Sequence, residues 1–306
     1  MAPSSAFSLR PLEEADIPAA AEVACEAFNS FNETVGLPPE VPSPDPFVEV
    51  IAAKLRSPLS FSVLAVNREG QPIGSNFIVG DPDSKIWTMG PVNVSTKANS
   101  AGVGRAIVKA CVDHAEKEGA KSLRLVQLTS NPKAFSLYTK FGFDPKFVAA
   151  YFEGYPSKPL EVASGYTVRR LEEGDIPGCD ALFLAPNGYS FAKTLSGFTK
   201  GWPFPMFVAL KDGEVVAYTT AFLVMGHVVA KDEDAFVALF SGASAQLREM
   251  GAPPPTFHLP VAIHPELCRW CLSVGLKLVR HTWIMVKGEF KELPREPLYC
   301  PSIDWH

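Results

Sequence analysis

The segment LRPLEEADIP, beginning at Leu9, returns as VRRLEEGDIP at Val168, 159 positions later. Both copies keep an Arg, a Leu-Glu-Glu and an Asp-Ile-Pro in fixed order. A repeat of this kind constrains the fold more than any composition can, because each copy must fold by the same plan. Further echoes follow in the same order. The hairpin-like run SVLAVNREGQPIGSNFIV returns as FVALKDGEVVAYTTAF, with Gly213 in the place of Gly70, and MGPVN at Met89 returns as MGHVV at Met225. NPKAFSLYTKFGF returns as HPELCRWCLSVGL, with Pro265 over Pro132 and Gly275 over Gly142. The chain therefore reads as a tandem duplication, with a first domain over 1–155, a joint over 156–163 and a second domain over 164–306. Its 306 residues suit two domains of ~150 residues.

The net charge of −5 brings no cluster of Lys and Arg, so a nucleic-acid partner is not expected. No apolar run of ~18 residues occurs, and the first residues carry no signal-peptide core, so a cytoplasmic protein with no membrane partner is expected. Six scattered cysteines suit reduced thiols better than a disulfide framework.

Periodicity sets out the elements. ADIPAAAEVACEAF predicts a helix with Asp16 as its cap and Pro18 in its first turn. The Pro-rich stretch from Leu37 to Pro46 is a loop, and the two β-rich runs around NREGQ form a hairpin. KIWTMGPVNVS is another extended run. GVGRAIVKACVDHAEKEG is the strongest helix, with Val103, Ile107, Ala110, Cys111 and Ala115 on one face and Gly119 as the stop. A short strand (SLRLVQL), a short helix (NPKAFSLYTKFG) and a closing strand (FVAAYFE) complete the first half. The fold class is α/β (mixed α+β): two tandem domains, each a twisted mixed sheet flanked by helices.

Between a strand and that strong helix lies VNVSTKANSAGVGRA, from Val92 to Ala106. Glycines there let backbone approach a ligand, and a helix N-terminus offers free N–H groups to a phosphate. A dinucleotide fold needs a third Gly at the position of Ile107, and a P-loop needs Gly-Lys-Ser/Thr; neither is present. Residues 86–152 instead resemble the GNAT acetyltransferase superfamily. Its cofactor motif, Arg/Gln-x-x-Gly-x-Gly/Ala at a strand-to-helix turn, is matched by NSAGVG from Asn99 to Gly104. Its downstream pattern is matched by Asn131, Ala134, Leu137-Tyr138 and Gly142-Phe143. Asn99 stands where Arg or Gln is usual, and Thr96 where Pro is common.

The resemblance implies acetyl-coenzyme A as co-substrate and direct transfer to the amine of a small molecule or amino compound. The implied cofactor contacts are Val92, Asn93, Val94, Asn99, Ser100, Ala101, Gly102, Val103, Gly104, Arg105, Ala106, Asn131, Ala134 and Tyr138. A backbone N–H of the 92–94 strand would polarise the thioester carbonyl, and Tyr138 would protonate the leaving thiolate. Glu33, placed after the first helix, is a candidate base by region only, and a water-mediated base is its equal. A non-catalytic acyl-coenzyme A sensor is the rival reading. The chain is expected to be a monomer or homodimer.

The second half lacks the glycine loop. Asp232, Glu233 and Asp234 put carboxylates where a pyrophosphate would lie, His264 replaces Asn131, and Cys271 replaces Tyr138. That copy is expected to be degenerate and not to bind coenzyme A. Cys268 and Cys271 read as helix packing, so no metal is expected. The Leu37–Pro46 loop and GWPFPM at Gly201 are candidate walls of an acceptor site.

Overall fold

The computed structural model describes residues 6–81, 83–98 and 102–303. It divides into two compact units, the first of residues 1–125, 130–144 and 285–289, the second of 126–129, 145–284 and 290–306. These packing units interleave along the chain. The sequential split with its joint at 156–163 stays our proposal for where the duplicated sequence meets itself.

In the first unit the order is β1 (Phe7–Arg10), α1 (Ile17–Thr34), α2 (Asp45–Arg56), β2 (Ser60–Asn67), β3 (Pro72–Asp81), β4 (Ile86–Met89), β5 (Asn93–Val94), α3 (Val103–Lys117), β6 (Ser122–Leu128) and α4 (Pro132–Lys140). The sheet runs β1-β2-β3-β4-β6, antiparallel except for β4 and β6, which pair in parallel with Trp87 opposite Leu123. Leu64, Val66 and Phe77 pack beneath α1 and α2, on Ile17, Ala20, Ala21 and Ile51. On α3, Val103, Ile107, Cys111 and Ala115 are buried as the periodicity required, with Val108 and Val112 beside them; Ala110 is half-buried.

The extended run at 85–95 is not one strand. Pro91 has no N–H to give to a ladder, and the run breaks there into β4 and β5. β4 pairs β6 over residues 86–88. Among the described residues β5 pairs only β3, through Gly74–Val94 and Ser75–Asn93.

The second unit contains β7 (Asp144–Glu153) beyond its first residue, then β8 (Tyr166–Arg170), α5 (Ile176–Asn187), α6 (Ala192–Gly201), β9 (Phe207–Lys211), β10 (Glu214–Thr219), β11 (Val228–Ala230), α7 (Glu233–Glu249), β12 (Thr256–Leu259), α8 (Pro265–Ser273), most of β13 (Lys277–Gly288) and β14 (Leu298–Cys300). One sheet runs β14-β11-β10-β9-β8, antiparallel throughout. Its side chains alternate between two cores, as the period of a strand dictates. Val208, Tyr218, Val229 and Tyr299 face α5 and α6, whereas Phe207, Ala217, Val228, Leu298 and Cys300 face α7. Each large side chain buried in this way contributes about 1.5–3 kcal/mol. β7 and β12 pair antiparallel beside this sheet, with Tyr151 opposite His258.

The repeated decapeptide is one physical device built twice. Arg10 grips Asp16 through two hydrogen bonds of 2.6 Å while donating to the Pro11 carbonyl. Arg169 grips Asp175 at 2.6 and 2.8 Å while donating to the Arg170 carbonyl. The Glu13 and Glu172 amides each donate to the matching Asp at 2.9 Å, closing a capping box around a single 3₁₀ turn. Asp16 thus acts one turn before the site expected of it: it receives Arg10 and the Glu13 amide, and gives α1 no side-chain cap. The elements after each clasp follow the same order, so the tandem arrangement holds for the fold as well as the sequence.

Candidate functional site

β5, β3, α3 and α4 converge around the glycine turn. A side chain at Gly74 would sit 2.9 Å from the Asn93 carbonyl and 3.1 Å from Val103, so only glycine lets β3, β5 and the start of α3 approach this closely. At Gly104 the nearest groups are Val94 at 3.6 Å and Leu137, on α4, at 3.7 Å. Gly102 is the residue before α3 and adopts φ +84°, a left-handed conformation that an L side chain would strain. No side chain among the described residues caps α3. The amide of Ala106 is satisfied by the Gly102 carbonyl at 3.0 Å, while those of Val103 and Gly104 have no partner among the described residues. The result is an uncapped helix N-terminus beside a strand with one open edge.

Asn99, Ser100 and Ala101 of the expected cofactor set lie outside the described residues. Val92, Asn93, Val94, Gly102, Val103, Gly104 and Ala106 are brought together. The Asn93 side chain is turned inward, exchanging hydrogen bonds with the Ser75 hydroxyl (2.9 Å) and amide (3.3 Å), so only its backbone is offered to a ligand. Arg105 is exposed, and its guanidinium lies 5.8 Å from the Phe141 ring centre. Asn131 caps α4 by accepting from the Ala134 amide at 3.0 Å. Tyr138 is 8% exposed and lies edge-on to Phe143 at 6.1 Å, and its backbone carbonyl accepts from the amides of Phe141 and Phe143. Burial pushes its phenol well up from the usual value.

Glu33 belongs to the last turn of α1 rather than to the loop after it, and it is exposed. The acidic side chain that does reach the end of β5 is Glu26, seven residues or about two turns earlier on α1. It accepts from the Ser95 hydroxyl at 3.3 Å and, through its other oxygen, from the Thr96 hydroxyl. Thr96 stands where the resembling family has Pro, and this bond fixes the turn in place of a pyrrolidine ring. Nothing local in the sequence signals Glu26, because its partners are 69 and 70 residues away.

In the second unit the equivalent helix terminus is closed. Asp232 adopts extended backbone and its carboxylate accepts from the Ala235 amide at 2.8 Å, capping α7. Glu233 takes the ring Nδ1 of His264 at 2.9 Å. Burial lowers the His264 pKa, with Glu233 opposing the shift. Cys271 is fully buried in the α7–α8 core, and its thiol is pushed up by that burial. No helix among the described residues is long and apolar enough to cross a membrane.

The model of the acetyltransferase (GNAT) family matches residues 27–143. A GCN5-related N-acetyltransferase from Sphaerobacter thermophilus shares the fold at TM-score 0.71 and 17% identity, over 99% of both chains. A glucosamine N-acetyltransferase region of a fungal multi-domain β-N-acetylglucosaminidase aligns at TM-score 0.66 and 14% identity, over 93% of this chain and 38% of that one. No curated protein matches the chain in sequence. The uncapped α3 terminus, the open edge of β5 and the glycine motif all lie within residues 27–143, the stretch that the acetyltransferase (GNAT) family model matches.

Proposed function

We propose that the protein is an acetyl-coenzyme A-dependent N-acetyltransferase acting on the amine of a small molecule or amino compound, with the first unit carrying the chemistry. The observation that supports this most is the contrast between two equivalent helix ends: α3 begins at a left-handed Gly102 with no side-chain cap, whereas α7 is capped by the chain's own Asp232.

Acetyl-coenzyme A would supply the activated acyl group, and the residues present fit it. Gly102 and Gly104 leave the α3 terminus clear for a pyrophosphate, whose charge the helix dipole favours. The unpaired edge of β5 offers backbone groups along Val92–Val94, where an N–H can stabilise the oxyanion of the tetrahedral intermediate. Tyr138, whose burial keeps its phenol protonated, would supply the proton for the leaving thiolate. β4 and β5 carry no carboxylate, and Glu26 already accepts two hydroxyl protons' hydrogen bonds. With no carboxylate on these strands, a water-mediated base would take the proton of the amine.

Calorimetric titration of the whole protein with acetyl-coenzyme A tests this reading. One site per chain is expected, and Gly104→Glu should abolish it by placing a side chain and a negative charge in the turn. Absence of binding to the unaltered protein would sink the acetyltransferase reading.

A further inference from the structure

The repeat aligns β11 with the residues that form the open edge of the first unit. Met225 matches Met89, which places Val228, Val229 and Ala230 over Val92, Asn93 and Val94. In the first unit, β5 pairs β3 on one side and, among the described residues, no strand on the other. In the second unit, β11 pairs β10 on one side and β14 on the other, with Val228 opposite Cys300, Val229 opposite Tyr299 and Ala230 opposite Leu298.

We propose that the C-terminal segment over 294–303 is a built-in occupant of the second unit's cofactor cleft, standing along the strand edge where the first unit receives the pantetheine arm. This rests on the cofactor reading of the first unit. Three further observations carry it. β14 is not laid on the surface: Leu298, Tyr299 and Cys300 are at most 3% exposed and join both cores of the unit. The segment is tied down on each side of the strand. Before it, Arg295 reaches Glu233 and Glu266 at 3.4 Å and the Ile263 carbonyl at 3.5 Å; after it, the Ile303 amide donates to the Val224 carbonyl at 3.1 Å. The phosphate end of the same cleft is filled as well, because the Asp232 carboxylate takes the α7 amide that a phosphate oxygen would take. Each part of the cofactor site is thus matched by a piece of this chain: a strand for the amide-bearing arm and a carboxylate for the phosphate. The consequence is one cofactor per chain, fixed by the fold rather than by the missing glycines alone.

Hydrogen exchange read by mass spectrometry on the full-length protein, with and without saturating acetyl-coenzyme A, tests the proposal. The amides of 228–230 and 298–300 should exchange slowly in the free protein and be unchanged by acetyl-coenzyme A. Those of 92–94 and 102–106 should slow on addition, by up to about 100-fold at a concentration 100 times Kd. Slowing across 228–236, or acceleration at 298–300, would mean that the cofactor enters the second cleft and would overturn the proposal. Fast exchange at 298–300 in the free protein would overturn it too. Protection of 298–300 with no response at 92–106 would support the occupant while removing the acetyltransferase reading, so the two ideas fail separately.

Discussion

Tyr138 joins two demands that pull against each other. A buried phenol keeps its proton at neutral pH, which an acid needs, but the same burial makes the proton harder to release. Transfer is favourable only if a thiolate forms within the desolvated site, where its own charge is just as costly. Tyr138→Phe should therefore lower kcat by about 100-fold, the lower end for a positioned acid, while calorimetric affinity for acetyl-coenzyme A stays unchanged. Equal kcat in the variant would reduce Tyr138 to a core aromatic packed on Phe143. The glycine turn was legible in the sequence because two glycines between a strand and a strong helix imply close backbone approach, whereas the acid role of Tyr138 rests on the family resemblance, and Asn131, expected as a cofactor contact, caps α4. The roles of Asn93 and Glu26 were not legible. Asn93 looks inward because Ser75, on a neighbouring strand, offers it both a donor and an acceptor. Glu26 is fixed by hydroxyls brought to it only by the packing of α1 over β5.

At the scale of elements, the twin clasps are the best test of how local chemistry starts each copy. The hydrogen bonds from Arg10 hold the Asp16 carboxyl below the usual carboxylate range, against some burial. For Asp175, burial pushes the carboxyl up, but Arg169 and the Glu172 amide outweigh it and the net direction is down. A depressed folded pKa means stabilisation that is complete above the unfolded value near 4 and is lost as pH falls through the folded one. Asp16→Ala and Asp175→Ala should each cost about 1–2 kcal/mol in urea unfolding at pH 7, and the cost should shrink towards pH 3. A cost independent of pH would remove the ion pair from the account. The clasps, hairpins and long helices were readable because each is made by neighbours in sequence. α2 and α6 escaped notice: each follows a loop rich in Pro, Gly or Ser, and neither N-cap residue offers a capping side chain; the first amides of α6 go instead to Asp180, distant in sequence. β14 escaped for a different reason. Three residues between Pro297 and Pro301 carry no period, and only the edge of β11 makes them a strand.

For the whole molecule, one source of acid sensitivity is a fully buried imidazole. His227 is fully enclosed; its Nε2 meets the Tyr218 hydroxyl at 2.8 Å, its Nδ1 has no partner, and the rings of Phe183, Phe191 and Tyr299 surround it. Burial lowers its pKa to about 3. The unfolded chain then binds the extra proton between pH 6.5 and that value, so stability falls as pH drops through this window, by at most about 1.4 kcal/mol per pH unit. Urea unfolding at pH 7, 6 and 5 should show this slope, and His227→Gln should flatten it; an unchanged slope would place the effect elsewhere. The interleaving of the two units has a consequence for how the chain is made. Residues 285–289 belong to the first unit, and β14 completes the second. A ribosome that has delivered the cofactor turn, and even all of β7, has not yet delivered the last pieces of either unit. Where tandem domains usually fold one after the other from the N-terminus, residues of both units lie after 284, so neither unit has all its residues before β13 and β14 are made.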